Sequence, residues 1–125
     1  MQSKGIIWTG RIISALLTML FLSNGVTAVV KPAVIVEGLA HLGYPSGLAN
    51  GITITQLVCA VLYAIPQTSV LGAILLTGYL GGATASHLRA GEAIFFPVVI
   101  GVLVWVGLWL RDERLRALVP FRRPA

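Results

Sequence analysis

Four long apolar runs, separated by short polar or proline-containing segments, make up most of the chain. Each run is close to the length of about 20 residues that crosses a hydrocarbon core about 30 Å thick. Backbone N–H and C=O groups in lipid must pair within their own segment, which favours helices. The pattern predicts an all-α integral membrane protein, one domain over residues 1–125, with four transmembrane helices in an antiparallel bundle. The predicted spans are residues 7–30, 47–65, 67–87 and 93–110.

The segments between the runs indicate where the helices end. Pro32, which has no N–H group to donate, ends the first span, and Pro66 leaves almost no loop between the second and third spans. Such a short connection predicts an antiparallel hairpin. In loop 31–46, KPAVIVEGLAHLGYPS, Pro32 suits a first helical turn and Gly43 suits a helix end. We expect a short interfacial helix there, lying on the outer leaflet between the first and second spans.

Composition and charge support the membrane assignment and set an orientation. The chain is 57% hydrophobic and 10% charged, whereas soluble domains carry roughly 25% charged residues. The basic side chains border apolar runs, which favours a membrane surface over nucleic acid as the partner of the +5 net charge. One side would hold only Lys31 and Arg89, so both termini and the basic tail 111–125 are predicted to be cytoplasmic. The seven basic residues on that side are Lys4, Arg11, Arg111, Arg114, Arg116, Arg122 and Arg123.

A cleaved signal peptide is the alternative interpretation of the first run. Lys4 and Arg11 precede the apolar stretch, and the small residues around Ala28 resemble a cleavage site. However, the apolar run continues to Val30, which is longer than a usual signal core. We therefore expect the first run to be a retained span.

Small residues lie on one face of the third span. With an advance of about 100° per residue, Gly78, Gly81, Gly82 and Ala85 share a side of the helix and form two small-xxx-small spacings. In lipid, such spacings allow helix backbones to approach closely. We predict that this face packs against another helix. The alternative is a flat wall that admits the tail of a lipid or quinone.

A polar stripe in the second span contains Thr55, Gln56, Cys59 and Tyr63. An amide such as that of Gln56 is costly in lipid unless it has a hydrogen-bond partner. The stripe is therefore expected to face the bundle interior, where Gln56 would bond another helix or contact a substrate. Cys59 is the single cysteine, which excludes an intramolecular disulfide.

Titratable side chains are predicted to gather on the outer side. Glu37 and His41 are four residues apart and share a helical face, while His87, Arg89 and Glu92 precede the fourth span. If loop 31–46 folds over the bundle, the five side chains would meet. They would then handle protons or a quinone headgroup, or simply pair as interfacial charges. Their loose spacing does not favour a metal site.

Three segments carry a family resemblance. GYLGGATASHLRAGE, FFPVVIGVLVWVGLWLRDERLRALVPFR and GLAHLGYP resemble the DoxX-like family of small bacterial membrane proteins. The resemblance implies a four-helix bundle in the bacterial inner membrane, with His87 and Arg89 in the outer polar motif. It also implies similarity to the membrane subunit of a thiosulfate–quinone oxidoreductase, and to members associated with thiol and oxidative-stress systems. A thiol–disulfide mechanism would require paired cysteines, and this sequence has a single cysteine.

These observations predict a multi-pass inner-membrane protein with a non-enzymatic accessory role in a redox or envelope-stress system. Its ligand would be quinone or lipid, and its protein partner a second copy of the chain or a redox protein. The alternatives are a quinone-reactive oxidoreductase subunit and a small-molecule transporter or efflux component that acts as an oligomer. Since the apolar runs 12–30, 47–65, 67–86 and 93–110 contain no charge, a proton or ion path across the whole bilayer is disfavoured.

Overall fold

The computed structural model describes residues 4–122, and within this range every regular element is a helix. Short 3₁₀ turns at Ser46–Leu48 and Pro66–Thr68 precede the third and fourth helices. The helices are α1 Lys4–Val30, α2 Pro32–His41, α3 Ala49–Ala64, α4 Ser69–Arg89, α5 Phe95–Arg111 and α6 Glu113–Arg116. The all-helical prediction is confirmed. Arg123, part of the predicted basic tail, lies outside the described residues.

Three helical segments are long and apolar enough to cross a membrane: Lys4–Val30, Ser46–Ala64 and Pro66–Arg89. Phe95–Arg111 is also apolar but shorter, at 17 residues. Large hydrophobic side chains remain exposed along the outer faces of these helices, such as Met19 on α1 and Val102 on α5. Such surfaces suit a lipid environment.

The four long helices contact one another in a ring. α1 packs against α3 and α5, and α4 packs against the same two helices. The interior contains apolar side chains from all four, including Leu17, Phe21, Leu76, Val104 and Leu108. The short helix α2 contacts α1 and α3 and has no buried residue of its own.

Proline and glycine limit α2 as predicted. Pro32 is its first residue, where the missing N–H group costs no hydrogen bond. Gly43 follows the C-terminal cap residue Leu42 with a φ of +89°, a conformation that glycine adopts without strain. The chain therefore turns sharply from α2 into the 3₁₀ turn before α3.

Close helix approach occurs at glycines other than those on the predicted face. A Cβ atom at Gly10 would lie 2.6 Å from the Gly107 carbonyl oxygen, so α1 and α5 nearly touch there. By contrast, a Cβ atom at Gly78, Gly81 or Gly82 would meet nothing within 4 Å. All three glycines and their companion Ala85 are exposed. Within the described chain this face contacts no helix, and its packing against a second chain stays a prediction.

Arg111 turns into the bundle, although the sequence placed it with the basic side chains at the cytoplasmic membrane surface. Its Nη2 atom donates hydrogen bonds to the Tyr63 carbonyl oxygen at 2.9 Å and to Ser69 Oγ at 3.1 Å. The guanidinium also lies 5.0 Å from the centre of the Tyr63 ring. The physical reason is that the last carbonyl groups of α3 have no partner within their own helix and require a donor.

The Tyr63 hydroxyl extends this network through the bundle. Tyr63 is fully buried, and its Oη donates to the Val104 carbonyl oxygen at 2.7 Å. Since that proton is committed, Ser14 Oγ, 3.0 Å away, donates to Tyr63 Oη. These bonds and those of Arg111 join α1, α3, α4 and α5, and we call Ser14, Tyr63, Ser69 and Arg111 the Tyr63 network.

We expect Gly10→Leu to lower the free energy of unfolding by about 2 kcal/mol or more, because overpacking forces α1 away from α5. Gly81→Leu is the matched control, since its side chain would enter open space. Thermal unfolding of both variants in mild detergent measures the difference. Equal stability of the two variants would contradict the observed helix contact.

We expect Arg111→Met to destabilise the protein by about 2 kcal/mol, the scale of hydrogen bonds to a charged donor. The methionine keeps most of the side-chain volume but leaves the Tyr63 carbonyl without its donor. Arg114→Met, at an exposed position of α6, should change stability little. Chemical unfolding in detergent compares the two, and an unchanged Arg111→Met variant would show that the network does not stabilise the fold.

Candidate functional site

A cavity of about 640 Å³ lies beneath α2, between that helix and the adjoining parts of α1, α3 and α4. Five of the six side chains predicted to form a polar site line it, namely Glu37, His41, Gln56, His87 and Glu92. Asn24 and Thr53 add two further polar side chains. The structure thus brings together residues that are separated by up to 68 positions in the chain, from Asn24 to Glu92.

The position of α2 creates this cavity. The chain ends α1 at Val30 and begins α2 at Pro32, so α2 turns back beside α1 and α3. Glu37 and His41 are one helical turn apart, and both line the cavity, as their spacing predicted. Apolar residues of the same helix, including Ile35 and Leu39, form the rest of this wall.

A contact between the side chains of His41 and Glu92 links α2 to the segment after α4. His41 Nε2 contacts one carboxylate oxygen of Glu92, and His87 Nε2 lies 3.8 Å from the other. The His87 Nδ1 atom is 2.7 Å from the Ala83 carbonyl oxygen. Because a carbonyl oxygen only accepts, Nδ1 carries a proton, and Nε2 remains available to the cavity. Nε2 accepts a hydrogen bond when His87 is neutral and donates one when the ring is protonated.

Arg89 does not join the cluster, contrary to the predicted meeting of all five outer charges. Its Nη2 atom donates to the Leu42 carbonyl oxygen at 2.8 Å, and its guanidinium lies 6.0 Å from the centre of the Tyr44 ring. The end of α2 leaves carbonyl groups without helical partners, and Arg89 supplies a donor to one of them. Glu92 accordingly pairs with the two histidines rather than with Arg89.

Gln56 is the most informative residue of the site. It is only 5% exposed and lines the cavity, yet no hydrogen bond to its amide occurs within residues 4–122. Its amide atoms reach the space of the cavity, where a bound molecule can contact them, and the fully buried side-chain atom without a partner among the described residues is instead Arg111 Nε. Of the predicted stripe, Cys59 and Tyr63 are buried with it, whereas Thr55 is exposed and bonds the Gly51 carbonyl oxygen at 2.7 Å.

Thr53 also lines the cavity without a hydrogen bond from its side chain, although it is only half-buried, and it was missed in the sequence. Every other threonine of the described chain donates its hydroxyl to a backbone carbonyl group. Thr53 makes no such bond and lines the cavity three residues before Gln56, on the same helical face. Asn24 lies on another wall, contributed by α1. A single helix shows no signal for Asn24, because only the packing of α1 against α3 brings it near.

The charge of the cavity limits which ligands suit it. Two carboxylates and two imidazoles line it, and no Lys or Arg among the described residues does. Phosphate groups are usually bound by Arg or Lys. The uncharged donors of Asn24, Thr53 and Gln56, by contrast, suit a neutral ligand with hydrogen-bonding oxygens. The arrangement therefore favours a neutral polar group over an anionic headgroup.

Comparison with known proteins identifies the family. The model of the DoxX-like family matches residues 12–107, a range that contains every residue lining the cavity. Comparison with curated proteins found no match, and neither did comparison with solved structures. The family match and the apolar helices together indicate a membrane protein. The chain belongs to the DoxX-like family.

Proposed function

We propose that this chain is a four-span protein of the bacterial inner membrane that binds the ring of a quinone beneath α2, as a non-enzymatic accessory subunit of a redox system. One observation carries the proposal: the Gln56 amide faces a cavity and makes no hydrogen bond within the described residues. A bound carbonyl oxygen would accept a hydrogen bond from that amide.

The membrane arrangement rests on α5. Its 17 residues extend about 25 Å, at the lower limit for a transmembrane helix. α5 contacts both α1 and α4, and its valines at positions 98, 99 and 102 are exposed on the outer face. With α5 as the fourth span of an antiparallel bundle, the positive-inside rule supports cytoplasmic termini and an outward-facing cavity.

The chemistry of the cavity supports a quinone ring over a lipid headgroup. Both quinone oxygens are neutral acceptors, and the side chains of Asn24, Thr53 and Gln56 are uncharged donors. His87 Nε2 provides a further donor when its ring is protonated. A phospholipid would place a phosphate near Glu37 and Glu92 without a neighbouring Arg or Lys in the cavity, which is unfavourable. The resemblance to a thiosulfate–quinone oxidoreductase subunit supports the redox setting.

The four-span arrangement predicts that the two ends of α5 lie on opposite sides of the membrane. In a Cys59→Ala background, Ala90→Cys and Arg114→Cys place single exposed thiols before and after α5. We expect a membrane-impermeant maleimide to label Ala90→Cys in intact spheroplasts and Arg114→Cys only after membrane disruption. Labelling of both thiols from the same side would exclude α5 as a span.

The quinone site predicts that the purified protein carries quinone and that the site variants lose it. We expect near-stoichiometric quinone in the wild type, measured by organic extraction and mass spectrometry after purification in mild detergent. Gln56→Leu should weaken binding about tenfold, the effect of one buried hydrogen bond, and His87→Ala should also reduce the bound quinone.

Thr55→Val is the matched control for Gln56→Leu, because Thr55 is the adjacent residue and is exposed on the outer face of α3. This variant should retain as much quinone as the wild type. No enrichment over an unrelated membrane protein, or equal quinone in wild type and Gln56→Leu, would refute the proposed function.

A further inference from the structure

A second cavity, of about 320 Å³, lies beside the first, between α2 and α4. The two cavities share five wall residues, namely Leu39, Leu42, Ile52, Tyr79 and His87. The first cavity contains most of the polar side chains, whereas the second is lined mainly by apolar groups. The two cavities therefore adjoin along this shared wall, the first mainly polar and the second mainly apolar.

Missing side chains on α4 create the second cavity. Gly78 and Gly82 line it, and a Cβ atom at either position would meet nothing within 4 Å. Ser86, one turn further along the same helix, also lines it and hydrogen-bonds the Tyr44 hydroxyl at 2.6 Å. From Gly78 to Ser86 the groove follows α4 for about 12 Å. We call it the tail groove.

We propose that the tail groove binds the apolar tail of the molecule whose ring occupies the cavity beneath α2, and that Gly78 and Gly82 set its width. This inference rests on the proposed function. It also gives Gly78 and Gly82, two of the four exposed small residues of α4, a role that the packing within the chain does not. Gln56, in the wall of the first cavity, would bind the polar end of the ligand, and the shared wall would direct the chain of the ligand along α4.

The dimensions favour a hydrocarbon chain over a helix from a second copy of the protein. An α-helix with its side chains is about 10–12 Å across, so a groove of 320 Å³ cannot enclose one. Leu39 and Leu42 of α2 also form part of the wall opposite Gly78 and Gly82. These side chains would obstruct a helix that approached the two glycines, whereas a single chain of methylene or isoprene units fits between the walls.

The tail groove would discriminate between ligands by the fit of their tails, not by the hydrophobic free energy of binding them. A tail that leaves lipid for a protein groove gains no hydrophobic free energy, because lipid chains are as apolar as the groove. The favourable free energy of tail binding therefore comes from close packing, together with the lower entropy cost of binding in a preformed site. A side chain that fills the groove should therefore reduce the advantage of a tailed ligand over its tailless ring.

The test compares one ligand pair in four proteins. Dissociation constants for a short-chain isoprenoid quinone and for the same ring without its tail are measured in detergent for the wild type, Gly82→Leu, Gly81→Leu and Gln56→Leu. Gly81 is the matched control, because it is the neighbouring glycine and lines a different surface, between α4 and α5. The ratio of the two constants cancels effects common to both ligands.

We expect Gly82→Leu to reduce the preference for the tailed quinone about tenfold, and Gly81→Leu to preserve it. Gln56→Leu should weaken both ligands and leave the ratio unchanged. A ratio that stays the same in Gly82→Leu would overturn the tail groove alone. Equal binding of the ring to wild type and Gln56→Leu would overturn the ring site, and the tail groove with it.

Light scattering of the same samples distinguishes a ligand tail from a second copy of the chain as the occupant of the tail groove. If Gly82→Leu lowers the oligomeric mass while Gly81→Leu does not, the groove binds a second copy of the chain, and the tail assignment is wrong. An unchanged mass together with the reduced ratio supports the tail assignment.

Discussion

The hydrogen bonds between Arg111 and the end of α3 close the helix ring at one end of the bundle. Helices in lipid gain no hydrophobic free energy by associating, so they depend on close packing and polar contacts. Both occur together here, because Gly10 and Gly107 bring α1 against α5 where Ser14 reaches the Tyr63 hydroxyl. This end of the bundle is closely packed, and its polar side chains bond one another and the backbone, with only Arg111 Nε buried without a partner among the described residues.

The opposite end contains polar groups that the fold does not pair. Tyr63 and Gln56 lie on the same helix and are both nearly inaccessible, but the Tyr63 hydroxyl has two partners and the Gln56 amide has none among the described residues. The uncharged donors of Asn24, Thr53 and Gln56 line one cavity beside His87 and Glu92, which is the physical reason for assigning binding to that end and structural support to the other.

Local sequence patterns predicted much of the candidate site but not its details. The four-residue spacing of Glu37 and His41, and the position of His87 at the end of a span, were enough to predict a shared polar site. Arg89 was assigned to it because charge alone does not reveal which carbonyl group needs a donor. Thr53 was missed since its lack of a backbone hydrogen bond is visible only in the folded chain.

The sequence by itself determined the helical membrane class and the limits of α2, because hydropathy, proline and the backbone freedom of glycine act over a few residues. The tertiary structure alone decided which glycines meet a neighbouring helix. Gly10 and Gly107 do, while Gly78 and Gly82 line a groove, although all four are equally small. It also decided that Arg111 turns inward. Both outcomes depend on which helix lies alongside, and that information comes from long-range packing rather than from any local pattern.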